Sequence, residues 1–176
     1  MKLHIGCGNI ILSNWVNLDI QPTDGVDIID DARVLNKIKD NSCDIIYACH
    51  ILEHFSRNEV QSVVDKWYSK IKPGGSLRIA VPDFEKIVQW YTETKKLEDV
   101  LGLLIGGHKD QWDMHGMIFD RNTLQEILLK SGFSFIEEWN WRQTEHFEYD
   151  DFSQAYLPHM QKDQGLLMSL NIEAFK

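Results

Sequence analysis

Cysteine is scarce in this chain of 176 residues. Cys7, Cys43 and Cys49 are an odd number without paired metal-ligand spacing. That argues against a disulfide framework and for reduced thiols in a cytoplasm. Basic runs are lacking too: 18 lysines and arginines face 27 aspartates and glutamates, a formal net charge of −9. Phosphate contacts need clustered cations, so no nucleic-acid partner is expected. No apolar stretch approaches membrane-spanning length, and Lys2 leads into a turn rather than a leader's apolar run. The expectation is a cytoplasmic protein with no membrane span. Repeats, low-complexity tracts and linkers are missing as well. The length suits one domain, 1–176, around one core.

What is present begins with the first twenty residues, MKLHIGCGNIILSNWVNLDI. They read as a strand (Lys2 to Ile5), a glycine turn (Gly6-Cys7-Gly8-Asn9) and a second strand (Val16 to Ile20) with Asp19 at its tip. Glycines after a strand let backbone N–H groups approach a ligand, because no Cβ intervenes. An acid at the end of the next strand can accept hydrogen bonds from a ribose diol. Gly8 and Asp19 are only eleven positions apart, against about twenty in the usual dinucleotide fingerprint. From Asp19 to a short β-like run at Val26 to Ile29 the connection is shorter still. Either the early helices are reduced to loops, or this half is not doubly wound.

Asp44 to Phe55, DIIYACHILEHF, starts as a strand buried on both faces and ends in a loop or single helical turn. His50, Glu53 and His54 match H-x-x-E-H, a zinc-hydrolase signature when i and i+4 share a helical face. Ser56 to Lys72 is the clearest helix. Ser56 with Glu59 forms a capping box, and Val60, Val63, Val64, Trp67 and Ile71 fall on one face. Pro73-Gly74-Gly75 ends it before the strand Ser76 to Val81.

A helix from Asp83 to Lys96 is expected next, capped by Asp83, with Phe84, Ile87, Val88 and Tyr91 inward. Leu97 to Ile105 repeats that pattern. GGHKDQWDMHGMIFD has no period, and such loops favour functional groups; Trp112, Asp113 and His115 are its acceptor-site candidates. Asn122 is expected to cap a helix ending at Gly132, with Leu124, Ile127 and Leu128 inward. Strands at Phe133 to Trp141 and Gly165 to Phe175 flank an aromatic, acidic stretch from Arg142 to Met160. Its rings suit stacking on a sugar or an amine, or a homodimer contact.

GCG after a strand, NLDI, DIIYACHILEH, KPGGSLRIAVPDF and DFSQAYLPHM, in that order, resemble the class I S-adenosylmethionine-dependent methyltransferases, in a compact group with shortened N-terminal helices. The resemblance implies an α/β, Rossmann-like fold: a mostly parallel seven-stranded sheet with the last strand antiparallel. It implies S-adenosylmethionine as cofactor. It places Gly6, Cys7 and Gly8 beside the methionine portion, Asp19 on the ribose and Ile20 against the adenine. Asp31 and Ala32 would meet the adenine edge. Ala48, Cys49 and His50 would lie under the sulfonium, and His54 would face the acceptor. Two positions depart from the superfamily pattern: His4 stands where an acid is usual, and Asn9-Ile10 replaces the third glycine.

Methyl transfer from a sulfonium is an in-line displacement that asks mainly for positioning and exclusion of water. A base is needed only if the acceptor must lose a proton, a task for His50, His54 or His115. The expected function is methyl transfer to a small-molecule or glycan-like acceptor. The alternatives are a zinc hydrolase on His50, Glu53 and His54, or a non-catalytic binding or dimer module.

Overall fold

The computed structural model describes residues 1–159 and 161–176; Met160, at the end of the DFSQAYLPHM motif, lies outside the described residues. The main sheet contains β1 (Lys2–Ile5), β2 (Val16–Asp19), β3 (Ile28–Ile29), β4 (Cys43–Cys49), β5 (Ile71–Pro82), β6 (Phe135–Glu138) and β9 (Ser169–Phe175). Their order is β3-β2-β1-β4-β5-β9-β6. The pairs β3–β2, β2–β1, β1–β4 and β4–β5 are parallel, while β9 runs antiparallel to both β5 and β6. A short hairpin of β7 (Tyr156–Leu157) and β8 (Leu166–Leu167) stands apart.

Side-chain alternation gives the sheet two different faces. One carries Leu3, Ile5, Ile46, Ala48, Leu77, Ile79, Leu170 and Ile172, all in the main core. Helices α1 (Val60–Lys70) and α4 (Arg121–Ser131) cover it with Val60, Val63, Val64, Trp67, Leu124 and Leu128. Burying each such aliphatic side chain is worth roughly 1.5–3 kcal/mol. The expected inner face of α1 is present, but the helix starts at Val60 and Ile71 already belongs to β5. Pro73 to Gly75 bulge out of β5, where the pairing jumps from Cys43↔Ile71 to Ile45↔Ser76. The Ser56–Glu59 pair forms with Ser56 donating its N–H and hydroxyl to the Glu59 carboxylate, so the reciprocal half of the box is not made.

The opposite face lacks its early helices, as the short connections require. Residues between β1 and β2 form turns that insert Leu12 and Trp15 against Ile45 and Tyr47, joined by Trp139 and Tyr149. Asn17 fixes this loop in place of a helix. Its Oδ1 accepts from Leu12 N at 2.9 Å, and its Nδ2 donates to Leu12 O at 3.1 Å. The β2–β3 crossover is held by Asp27 N on Asn17 O and Asn17 N on Asp27 Oδ2, each 2.8 Å. His4 occupies the usual acid's position on this same face. It is buried, stacked at 5.1 Å on Tyr47, and desolvation drives its pKa down to about 4 against the raising effect of Asn17.

Three local expectations are corrected. Helix α2 (Phe84–Thr94) is capped by Asp83, which accepts from Glu85 N at 2.9 Å. Only Ile87 of its expected inner face is buried, however; Phe84, Val88 and Tyr91 are exposed, because α2 packs mainly on α3 (Glu98–Ile105) and β8 at one end of the sheet. Asp120, not Asn122, caps α4, accepting from Thr123 N at 2.7 Å. Finally, Trp141 falls in a short 3₁₀ turn beyond β6, and the expected strand from Gly165 breaks at Met168 into β8 and β9.

Candidate functional site

The carboxyl ends of β1, β2 and β4 meet at a cleft. Gly6 and Gly8 turn the chain there with φ of +63° and +52°, backbone geometry that L side chains resist. A Cβ on Gly6 would overlap the Ile51 side chain, whereas one on Gly8 would meet nothing within 4 Å. Gly6 therefore serves packing, and Gly8 leaves open space beside the cleft. Two of the turn's N–H groups, those of Cys7 and Gly8, are already bonded within the chain, contrary to expectation. Cys7 N donates to Leu18 O at 3.1 Å and Gly8 N to Asp19 Oδ2 at 2.8 Å. Asp19 Oδ1 accepts from Gln21 N at 2.9 Å. Each carboxylate oxygen has a second lone pair, so Asp19 retains acceptor capacity toward the cleft.

The cleft has a volume of about 260 Å³. Of the residues expected from sequence, Gly6, Gly8, Asp19, Ile20, Asp31, Ala32, His50, His54 and Trp112 line it. Cys7 and Ala48 are buried behind the wall, and Cys49, Asp113 and His115 also lie outside the lining. Burial, with the Asp19 charge nearby, pushes the Cys7 thiol up to about 12, and burial pushes Cys49 well above the usual thiol value. Neither is a nucleophile at neutral pH. Asp113 instead braces its own loop, accepting from Lys109 N at 3.2 Å.

One wall was not legible in the sequence. Arg33 Nε donates to both oxygens of Asp31, at 3.0 and 2.9 Å, and its guanidinium lies 5.8 Å from the Trp112 ring centre. Burial alone would raise the Asp31 carboxyl; the bonds from Arg33 outweigh it and hold the carboxyl below its ordinary value. Arg33 follows the expected adenine-edge pair directly, but its reach to a ring 79 positions away is a tertiary fact.

The H-x-x-E-H motif is not on a helix. His50 directly follows β4 with φ +49°, and Leu52–His54 is a single 3₁₀ turn. His50 and His54 thus do not share a helical face, which removes the geometry the zinc-hydrolase pattern needs. His50 Nε2 lies 3.0 Å from Ser169 Oγ, its Nδ1 lies 3.2 Å from Glu53 Oε1, and its ring packs on Phe152. Glu53 is 1% exposed, and neither carboxylate oxygen accepts an aligned hydrogen bond.

A distant segment closes over this turn. Gly116 N and Met117 N both donate to Glu53 O, at 2.7 and 3.2 Å, while His115 N donates to Ile105 O. The approach demands glycine, since a Cβ on Gly116 would sit 2.7 Å from Phe55 O. It brings the His115 ring to 4.9 Å from the His54 ring, edge to face.

Residues 21–79 match a methyltransferase domain family. No curated protein matches the chain in sequence. Among solved structures, a SAM-dependent methyltransferase from Archaeoglobus fulgidus is 19% identical, with a TM-score of 0.59 over 99% of this chain and 85% of that one. An S-adenosylmethionine-dependent methyltransferase from Mesorhizobium loti is 16% identical, with a TM-score of 0.58 over 99% and 90%. The 1,6-didemethyltoxoflavin-N1-methyltransferase of Burkholderia thailandensis, solved with its substrate and S-adenosylhomocysteine, is 12% identical, with a TM-score of 0.59 over 99% and 70%. The strand order, the single antiparallel strand and these likenesses agree: the chain has the fold of the class I S-adenosylmethionine-dependent methyltransferases.

Proposed function

We propose that this chain binds S-adenosylmethionine in the cleft at the ends of β1, β2 and β4 and transfers its methyl group to a small-molecule or glycan-like acceptor. The observation that carries the reading is the placement of Asp19 and Gly8 on one cleft, the first with unused carboxylate lone pairs and the second with no Cβ in the way. In this reading the adenine would lie against Ile20 and Ala32, beside the Asp31–Arg33 pair, all of which line the cleft. Gly6, Gly8, Asp19, Ile20, Asp31 and Ala32 would hold the cofactor. When bound, it supplies an electrophilic methyl group whose departure needs no acid.

The protein's own work is then placement and proton handling. Trp112 and Phe55 line the cleft with apolar surface, which would help shield the transfer from water. His50 is the histidine best built for a base. It lines the cleft, and its ring is held by Glu53 at Nδ1 and Ser169 at Nε2. Ser169 Oγ gives its own proton to Asn171 Oδ1, so Nε2–H donates to Ser169 Oγ, and Nδ1, beside Glu53, is the ring nitrogen left to accept a proton. His54 also lines the cleft, and His115 stands behind it.

Support for a reducing compartment such as the cytoplasm comes from the three free thiols. No helix among the described residues is long and apolar enough to cross a membrane. We treat residues 1–176 as one working domain, and the exposed rings Phe147 and Phe152 as acceptor or homodimer contacts. Calorimetric titration with S-adenosylhomocysteine tests the cofactor half: saturable one-to-one binding supports it, and no heat at millimolar ligand removes it. Transfer of a labelled methyl group to amine, phenol and sugar panels tests the acceptor half.

A further inference from the structure

The geometry points to a divalent metal site of the zinc class formed by Glu53, His54 and His115. One potential ligand atom from each lies within 4.8 Å of the others. This is a different set from the linear H-x-x-E-H reading, since it drops His50 and recruits a histidine 61 positions further on.

Three independent features favour a cation here over a chance cluster. First, Glu53 is buried, with no aligned donor on either oxygen. A buried carboxylate costs several kcal/mol by general estimates and is normally paired or bound to metal; here His50 Nδ1, 3.2 Å from Oε1, stands close without an aligned hydrogen bond. Second, both histidines are oriented as ligands. His54 Nδ1 lies 3.2 Å from Met114 O, and His115 Nδ1 lies 3.1 Å from Leu103 O. A ring N–H given to a backbone carbonyl fixes the tautomer and leaves Nε2 with its lone pair free, the usual outer arrangement of a metal-bound histidine. Third, the segment that delivers His115 is tied to the Glu53 carbonyl by Gly116 and Met117, so all three ligands are set by one rigid junction.

Two nitrogens and one carboxylate oxygen are a known zinc donor set, and three protein ligands leave the fourth tetrahedral position open. His54 lies on the cleft wall, so that position is reachable from the cleft. Glu53 Oε1 faces His50, which leaves Oε2 for the ion. The cysteines are poor competitors, being free thiols held in their protonated state by burial.

Metal binding is independent of the cofactor reading and is measured without cofactor. The full chain, stripped with chelator, is titrated with Co²⁺ and then with Zn²⁺. The expected result is one equivalent of Co²⁺ giving visible bands of a four- or five-coordinate nitrogen–oxygen site, displaced by Zn²⁺. Glu53→Gln and His115→Ala weaken binding at least tenfold, and His159→Ala, at an exposed position, leaves it unchanged. Should Glu53→Gln fail to fold, His54→Gln replaces it, with circular dichroism as the folding check. Absence of stoichiometric binding, binding untouched by these substitutions, or a spectrum dominated by thiolate charge transfer overturns the site. Titration of the same preparation with S-adenosylhomocysteine keeps a failed metal site distinct from a failed cofactor site.

Discussion

Gly8 N donates to Asp19 Oδ2 at 2.8 Å, so the turn after β1 and the tip of β2 hold each other across the mouth of the cleft. The glycine turn is thereby fixed in shape before any ligand arrives. Its two glycines nonetheless do different jobs, and substitution separates them.

Alanine at Gly8 strains a left-handed backbone by about 1–2 kcal/mol and puts a methyl group into the cleft. Gly8→Ala is expected to fold with a modestly lower urea midpoint and to lose at least tenfold in S-adenosylhomocysteine affinity. Gly6→Ala adds overlap with Ile51 to the same strain, and its larger effect appears in the urea midpoint.

Gly116 lets the 105–117 segment lie against the 3₁₀ turn. A Cβ there meets Phe55 O at 2.7 Å, so Gly116→Ala is expected to cost roughly 1–3 kcal/mol. Hydrogen exchange reads it locally: the amides of residue 116 and Met117, both bonded to Glu53 O, lose protection ahead of the sheet amides. Loss of protection throughout the sheet would instead mean that the segment is part of the global unfolding unit.

Acid is expected to destabilise the protein well above the carboxylate range. His4 titrates at about 4 when folded, against 6.5 for a free histidine, because burial disfavours its charge. Between those values the unfolded chain binds more protons, so stability rises with pH; it is fully present above 6.5 and is lost as pH falls toward 4. A shift of this size corresponds to about 3 kcal/mol. Burial also lowers His146 and His115, which adds to the same slope. Urea denaturation at a series of pH values measures it, and His4→Phe, which keeps a ring on Tyr47, should flatten the curve between pH 4 and 6.5.

Arg33 separates stability from binding. Its pair with Asp31 is partly exposed, 38% and 29% for the two side chains, and such pairs contribute about 0–1 kcal/mol. Arg33→Met should leave the urea midpoint nearly unmoved. It should weaken cofactor binding several-fold, because it frees Asp31 and removes the cation beside Trp112. A large stability loss with unchanged affinity would assign Arg33 to the fold instead.

Local pattern carried much of this molecule. β1 is legible because alternation and a glycine stop agree, and Val60, Val63, Val64 and Trp67 mark α1 by period alone. The antiparallel β9 and the reduced early helices followed from resemblance and from short connections. Periodicity misled at α2, where the apolar positions Phe84, Val88 and Tyr91 are exposed; spacing reports a stripe but not whether a partner covers it. The cap of α4 was read two positions late, at Asn122 instead of Asp120, because aspartate and asparagine both suit the position. The Asp31–Arg33–Trp112 wall and the junction of Glu53, His54 and His115 were invisible because each joins segments about 60 to 80 positions apart. Only the non-periodic character of 106–120 pointed there.

Calorimetry of S-adenosylhomocysteine binding to the wild type and to Asp19→Asn is the most direct measurement of all. The substitution keeps one oxygen for Gly8 N but removes the charge, and hydrogen bonds to charged groups are worth about 1.5–3 kcal/mol. The predicted result is one-to-one binding by the wild type, weakened roughly 10- to 100-fold in the variant, with circular dichroism unchanged. Equal affinity in the two proteins would contradict a ribose-binding Asp19, and no binding by either would contradict a cofactor cleft at the ends of β1 and β2.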